Sequence, residues 1–149
     1  MKPTAYILCV CLAAVLCSCN GNAYVSSVPA MPVYLSYNVL AEDPQFVPAH
    51  TGAYKLIKER RYDTDYIGYA GLLIYIGMDM NYHAFDLACP HCLSTKQPLE
   101  VDGMYAICPL CNEHYDVSYG YGTPTYGISR EPLRKYNCKW DGTVLTVVN

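Results

Sequence analysis

Short runs of apolar and aromatic residues, separated by turn residues, dominate the sequence and predict strands. Most of the runs are bounded by Gly, Pro, Asp or Asn, which favour turns. The runs that predict strands cover residues 33–40, 54–58, 66–70, 72–76, 82–87, 115–117, 133–138 and 143–148. No segment repeats its apolar residues at helical spacing over the length of an ordinary helix. The pattern therefore predicts an all-β fold, either a small antiparallel barrel or a sandwich.

Two Asp-Gly pairs mark predicted hairpins, because Asp-Gly readily adopts the positive φ angles of tight hairpin turns. The pair at 102–103 lies in the middle of a predicted hairpin at 99–107, and the pair at 141–142 joins the last two predicted strands. Residues 72–76 are the most apolar segment and are predicted to be the central strand. Residues 119–127, which are rich in Gly, Tyr, Pro and Thr, are predicted to be a loop.

The beginning of the chain has the pattern of an export signal. Residues 6–16 form an apolar run that is too short to span a bilayer but fits the hydrophobic region of a signal peptide. Leu16 at position −3 and Ser18 at −1 precede Cys19, which resembles a bacterial lipoprotein signal with cleavage before Cys19 and lipid on its thiol. The alternative is ordinary secretion with cleavage elsewhere.

This interpretation divides the chain into three parts. They are a lipoprotein signal peptide at 1–18, a tether at 19–32 and a folded domain at 33–149. We expect the protein in the cell envelope, on its periplasmic or outer-membrane face, attached to the membrane through the lipid alone.

Composition and charge exclude some functions. Net charge is −3, and no basic run exists beyond residues 58–61, so we expect no nucleic-acid partner. His50 and His83 have no nearby nucleophile and acid in the sequence, which gives no support to a hydrolase.

Cysteine spacing is the strongest chemical signal. Of nine cysteines, four fall in the export signal or at the lipid site, and Cys138 is predicted to be a buried thiol. The remaining four form two Cys-Pro-x-Cys motifs whose spacing is typical of a four-thiolate metal site: Cys89, Cys92, Cys108 and Cys111. Four thiolates suit Zn, a single Fe or an iron–sulfur cluster. Because exported proteins can retain disulfides, Cys89–Cys111 or Cys92–Cys108 bridges are the alternative.

The residues around these motifs resemble the two cluster-binding boxes of Rieske domains. Residues 85–91 contain the Cys-x-His of the first box, and 108–116 contain Cys-Pro followed by an aromatic residue and Asp, as in the second box. Residues 127–136 resemble the loop that covers the cluster, and 141–147 resemble the final hairpin of the family. The resemblance implies an antiparallel β-barrel with a smaller metal-binding lobe, at about residues 85–127, that is similar to rubredoxins and zinc ribbons.

The sequence departs from the Rieske pattern at one ligand, because Cys111 stands where the second ligand histidine is expected. Pairing Cys111 with His114 would restore a Cys-x-x-His spacing but would leave Cys108 without a role. The alternative is that His114 lies beside the site and does not contact the metal.

Three ligand sets stay open. Four cysteines could bind one Zn or Fe, the same four could bind a 2Fe–2S cluster, or His91 could replace Cys92 around such a cluster. His91 and Cys92 are adjacent on one tight turn, so we expect only one of them to face the metal.

These features predict an electron-transfer module for an envelope redox partner. A thiolate in place of an imidazole predicts a reduction potential lower than that of a standard Rieske centre. The alternative is a non-catalytic adaptor for an envelope scaffold protein, with its lobe held together by zinc or disulfides. A free-standing enzyme is not expected, because no carboxylate–histidine iron site can be assembled from the sequence.

Overall fold

The computed structural model describes residues 25–149, so the predicted signal peptide and Cys19 lie outside the described residues. The described chain contains eleven strands and one short helix. In chain order they are β1 (Val33–Asn38), α1 (Val39–Glu42), β2 (Tyr54–Ile57), β3 (Tyr66–Ile67), β4 (Leu72–Ile76), β5 (Tyr82–Asp86), β6 (Glu100–Asp102), β7 (Tyr105–Ile107), β8 (His114–Asp116), β9 (Thr123–Tyr126), β10 (Lys135–Trp140) and β11 (Val144–Val148).

Seven strands form one antiparallel sheet in the order β2-β4-β5-β10-β11-β1-β3. Its strands turn alternate apolar side chains toward a common core, so the sheet curls around that core. In β1, Val33, Leu35 and Tyr37 are buried while their neighbours in the strand are exposed or half-buried, as period-two alternation predicts. The all-β antiparallel prediction is confirmed.

Strand β4 is buried on both faces, which explains why it is the most apolar segment of the sequence. Leu72, Ile74 and Ile76 point into the core of the large sheet. Leu73 and Tyr75 point the other way and pack in a second core, beneath a smaller sheet. Strand β4 therefore joins the two parts of the molecule, although it lies next to the edge strand β2 and not at the centre of the sheet as predicted.

The smaller sheet contains four antiparallel strands in the order β6-β7-β8-β9. Its β6–β7 hairpin turns after Asp102, where Gly103 has a positive φ of 57°, as the Asp-Gly pair predicts. The prediction of a loop throughout 119–127 is wrong at its end, because β9 pairs with β8 there. The pairing adds an edge strand despite the proline at position 124, which an edge tolerates.

The described part of the predicted tether is held against the domain. Ser26 and Val28 are buried, and Arg134 donates hydrogen bonds to the carbonyls of both residues. At the end of this segment Asn149 donates to the carbonyl of Met31. Residues 25–32 therefore form a strap on the folded domain.

Within residues 25–149, no helix has the length and apolar character needed to cross a bilayer.

Candidate metal centre

Each Cys-Pro-x-Cys motif occupies a tight turn at the end of a strand. The first, from Cys89 to Cys92, follows β5, and the second, from Cys108 to Cys111, connects β7 with β8. We call these turns the first and second knuckles. Since β5 belongs to the large sheet and β7 to the small one, the site forms where the two sheets meet.

The two knuckles have the same backbone conformation. In the first, the Leu93 N–H donates to the Cys89 carbonyl at 2.8 Å, and in the second, the Asn112 N–H donates to the Cys108 carbonyl at 2.9 Å. Both donors have positive φ, 51° for Leu93 and 57° for Asn112. Asn tolerates this left-handed region, whereas Leu rarely adopts it, so the first knuckle holds Leu93 in a strained conformation. The repeated geometry directs both cysteine pairs toward one point.

The four sulfurs lie close together. Each pair of these atoms is within 4.8 Å, and Cys89–Cys111 and Cys92–Cys108 are separated by 3.7 and 3.9 Å. A metal–sulfur bond of about 2.3 Å gives a regular ligand tetrahedron an edge of about 3.8 Å. The sulfur positions therefore fit four ligands around a single metal ion.

Backbone amides favour a thiolate at Cys108, on the buried side of the site. Cys89 and Cys108 are buried, whereas Cys92 and Cys111 are partly exposed. Burial alone would raise the pKa of Cys108, but the N–H groups of Cys111 and Leu110 donate to its sulfur and hold that pKa below the usual value. The site thus has a dry side and a side that faces solvent.

Tyr115 contacts the buried side of the site. Its hydroxyl lies 3.4 Å from the Cys89 Sγ, and its side chain is fully buried. Burial and the neighbouring Cys89 raise the pKa of Tyr115 well above its usual value, so the hydroxyl keeps its proton and can donate it to a thiolate.

A buried carboxylate fixes the backbone directly before the first knuckle. Asp86 is fully buried and accepts hydrogen bonds from the backbone N–H groups of Tyr69, Ala70 and Ala88 and from the Tyr136 hydroxyl. Its bond to Ala88 fixes the residue directly before Cys89. The carboxylate also excludes a side chain at Gly68, where a Cβ would lie 2.6 Å from its Oδ2.

A second buried carboxylate attaches a loop to the second knuckle. Glu113 is 1% exposed and accepts from the N–H groups of Ile128 at 2.6 Å and Ser129 at 3.1 Å. Gly127 precedes these donors, and a Cβ there would lie 2.2 Å from the Glu113 carboxyl carbon. Residues 127–131, which we call the covering loop, are therefore held against the knuckle by Glu113.

The histidines predicted near the site lie outside the sulfur cluster. His91 is exposed, and its Nδ1 is 3.7 Å from the Cys92 Sγ. His114 pairs with Asn112 at 3.2 Å, and its ring centre lies 5.0 Å from that of Tyr126. Among residues 25–149, the one group that brings three or more candidate metal ligands together is the set of four cysteines.

Cys138 is separate from this site. It belongs to β10, packs against the core of the large sheet and is partly buried. Burial raises the pKa of its thiol to about 12. The thiol predicted to be buried is thus packed in the closing hairpin but only partly buried.

Sequence reasoning missed the two buried carboxylates and the strap. The sequence indicates the role of Asp86 only weakly: it is an acidic residue in a buried, largely apolar strand, where it needs a hydrogen-bond partner. The sequence does not indicate that Glu113 is buried, because its burial depends on a loop about fifteen residues further along the chain.

The chain was compared with known proteins. No family model matches it, and no curated protein matches it. Among solved structures it is similar to a chain of the complex of reduced oxygenase and oxidized ferredoxin in carbazole 1,9a-dioxygenase, with 15% identity over 78% of this chain and 93% of that chain and a TM-score of 0.49. It is also similar to the Sphingomonas yanoikuyae B1 ferredoxin, with 15% identity over 69% of this chain and 93% of that chain and a TM-score of 0.45.

A third similar structure is a putative NADH-dependent nitrite reductase small subunit from Mycobacterium tuberculosis, with 11% identity over 79% of this chain and 96% of that chain and a TM-score of 0.45. At these low values the similarities carry no argument about this chain. Its own residues define the class: an all-β protein with four cysteines placed to bind a metal.

Proposed function

We propose that this domain binds one metal ion through Cys89, Cys92, Cys108 and Cys111 and, with iron in the site, transfers single electrons to a redox partner in the cell envelope. The observation that carries the proposal is the sulfur geometry, with all four atoms within 4.8 Å of one another. Iron held by four thiolates changes its charge by one electron and supplies no open position for a substrate.

A single ion accounts for the sulfur positions better than a cluster. Two iron atoms bridged by sulfide would place each ligand pair on a different metal, which separates the pairs beyond the edge of one tetrahedron. Sulfurs bound to different irons would lie farther apart than this edge, whereas all four sulfurs here lie within 4.8 Å of one another. A 2Fe–2S cluster, with four cysteines or with His91 in place of Cys92, stays the alternative that metal analysis tests.

The partly exposed side of the site supports electron transfer. Cys92 and Cys111 reach the surface, so a partner could approach within a short distance of the sulfurs. Cys89, Cys108 and Tyr115 are buried and keep water from the other side. The order of the two boxes, the covering loop and the closing hairpin along the chain, which resembles that of Rieske domains, supports a redox scaffold as well.

The envelope location rests on the first part of the chain. Cleavage before Cys19 and lipid on its thiol would anchor the domain to a membrane, and the redox partner would be an envelope protein.

A structural zinc site is the second candidate, and the size of the small sheet favours it. Three of its four strands have only three residues. Such a lobe buries little apolar surface, and a metal would stabilise it. In that case the protein would be an adaptor for an envelope scaffold.

Metal and sulfide analysis of the full-length protein, purified from its native host, tests the proposal. We expect one iron per chain, no acid-labile sulfide and a visible absorption that dithionite bleaches. One zinc in a colourless protein would overturn electron transfer and favour the adaptor, and iron with an equal amount of labile sulfide would overturn the single ion. As a matched pair, Cys111→Ser should lose the metal and Cys138→Ser should keep it.

A further inference from the structure

The strap connects the predicted lipid site to the metal centre. The Ser27 N–H donates to the Glu131 carboxylate at 2.8 Å, and its hydroxyl donates to the Pro90 carbonyl at 3.0 Å. Pro90 belongs to the first knuckle, and Glu131 belongs to the covering loop. The chain thus enters the described domain directly beside the site.

Only a short length of chain separates this contact from Cys19. Eight residues, fully extended, span at most about 29 Å, and a flexible chain of that length averages roughly 16 Å. A compact domain of about 125 residues is roughly 36 Å across. A lipid on Cys19 would therefore hold the end of the domain that carries Ser27 closer to the bilayer than the opposite end.

Exposed apolar side chains surround the metal centre at this end. They come from the strap, both knuckles, β9 and the covering loop, and we call them the apolar rim: Val25, Leu93, Leu110, Tyr126 and Ile128. Ile128 is 78% exposed and Leu110 is 54% exposed. Tyr126 and Ile128 line one groove together with His91 and Cys111, so the covering loop and both knuckles border the same surface.

The charge of this end differs from that of the whole protein. Residues 25–31, 90–97, 109–112 and 126–131 carry two basic side chains, Lys96 and Arg130, and one acidic side chain, Glu131. Both basic residues are exposed, whereas Glu131 is partly buried and accepts a bond from the strap. A protein of net charge −3 therefore presents a slightly basic surface with apolar residues here, a combination that fits anionic lipid head groups.

We propose that the apolar rim rests on the phospholipid surface, so that the metal centre faces the membrane. The inference depends on lipid attachment at Cys19, which is part of the proposed function. The occupant of this surface is the bilayer itself, because the connection keeps Ser27 within about 29 Å of the lipid anchor and the rim combines apolar side chains with a slight positive charge. An electron carrier in this orientation would exchange electrons with partners at the membrane plane.

Quenching of a single tryptophan by brominated lipids tests the orientation. Full-length lipidated protein, with Trp140→Phe as background, is reconstituted in vesicles of phosphatidylcholine and phosphatidylglycerol whose acyl chains carry bromine near the head group. One variant has Ile128→Trp in the rim. Its control has Met78→Trp, an exposed position in the turn at the far end of β5 from the first knuckle.

We expect emission from position 128 to be quenched about twofold or more relative to position 78, since apolar side chains enter the head-group boundary by roughly 5–10 Å. Adding Arg130→Glu to the Ile128→Trp variant should reduce the quenching. Equal quenching at the two positions in protein with lipid on Cys19, verified by intact mass, would overturn the orientation but leave the proposed anchor standing. A mature protein without lipid on Cys19 would overturn both.

Discussion

The Tyr115 hydroxyl lies 3.4 Å from the Cys89 Sγ, and both side chains are fully buried. A donor at this distance stabilises a thiolate, and it does so more strongly as negative charge builds up on the metal site. Tyr115 is therefore placed to influence both the affinity of the site for metal and its reduction potential.

Tyr115→Phe removes this donor without changing the shape of the ring. With iron in the site, we expect a lower reduction potential, because the reduced form carries more negative charge and loses more stabilisation. Each kcal/mol of differential stabilisation corresponds to about 40 mV for one electron. Voltammetry of the iron-loaded protein measures the shift. Tyr121→Phe, at an exposed position, is the control, and equal potentials for the two variants would contradict this role.

Asp86→Ala leaves three backbone donors and the Tyr136 hydroxyl without their acceptor in a fully buried place. We expect the free energy of unfolding to fall by about 3–5 kcal/mol, since each unsatisfied buried group costs about 1–3 kcal/mol and some donors will find water. Urea titration measures the loss. Asp63→Ala, at an exposed position, should change stability by less than about 0.5 kcal/mol. A loss for Asp86→Ala no larger than this control would show that the carboxylate does not support the fold.

Gly127→Ala should loosen the covering loop. The new Cβ would lie 2.2 Å from the Glu113 carboxyl carbon and would push this group away from the N–H groups of Ile128 and Ser129. Losing a hydrogen bond to a charged group costs about 1.5–3 kcal/mol. We expect the barrier to metal release to fall by this amount, which makes release roughly tenfold faster or more. The rate of metal transfer to a colorimetric chelator measures it.

Gly142→Ala is the matched control for this experiment. Gly142 has a similar positive φ, 97° against 109°, but nothing lies within 4 Å of its Cβ position. Both variants carry the backbone cost of a side chain in this region, about 1–2 kcal/mol. Metal release at the same rate from both would mean that the contact with Glu113 does not hold the loop.

Parts of the fold could be predicted because they depend on neighbouring residues in the chain. Both Asp-Gly hairpins are confirmed, since turn geometry is local. Residues 72–76 are confirmed as a strand, because a run of five apolar residues fits a strand buried on both faces, but the prediction that it is the central strand is wrong, since β4 lies next to the edge strand β2. The convergence of the two cysteine pairs follows from a repeated turn, which the repeated Cys-Pro-x-Cys motif signals.

The features that could not be predicted depend on contacts between distant parts of the chain. Residues 25–32 have the composition of a linker, yet Arg134, about a hundred residues away, holds them in place. Glutamate is usually exposed, and Glu113 is buried only because the covering loop packs against it. Strand β9 forms because the edge of β8 is available for pairing, although Gly, Pro and Thr dominate its surroundings.

Replacing His91 and Cys92 separately distinguishes the ligand sets. We expect Cys92→Ser to lose most of its affinity for metal, because it removes one corner of the sulfur tetrahedron. His91→Ala should keep one metal ion per chain, since the imidazole is exposed and lies outside the cluster. Competition with a chelator of known affinity measures both. The reverse result would assign the site to Cys89, His91, Cys108 and Cys111.

X-ray absorption spectroscopy at the metal edge of the purified protein tests the central claim most directly. Four thiolates around one ion predict a single shell of four sulfurs at about 2.3 Å, with no nitrogen in the first shell and no second metal. A shell with nitrogen, or a neighbouring iron atom, would contradict the four-thiolate single-ion site.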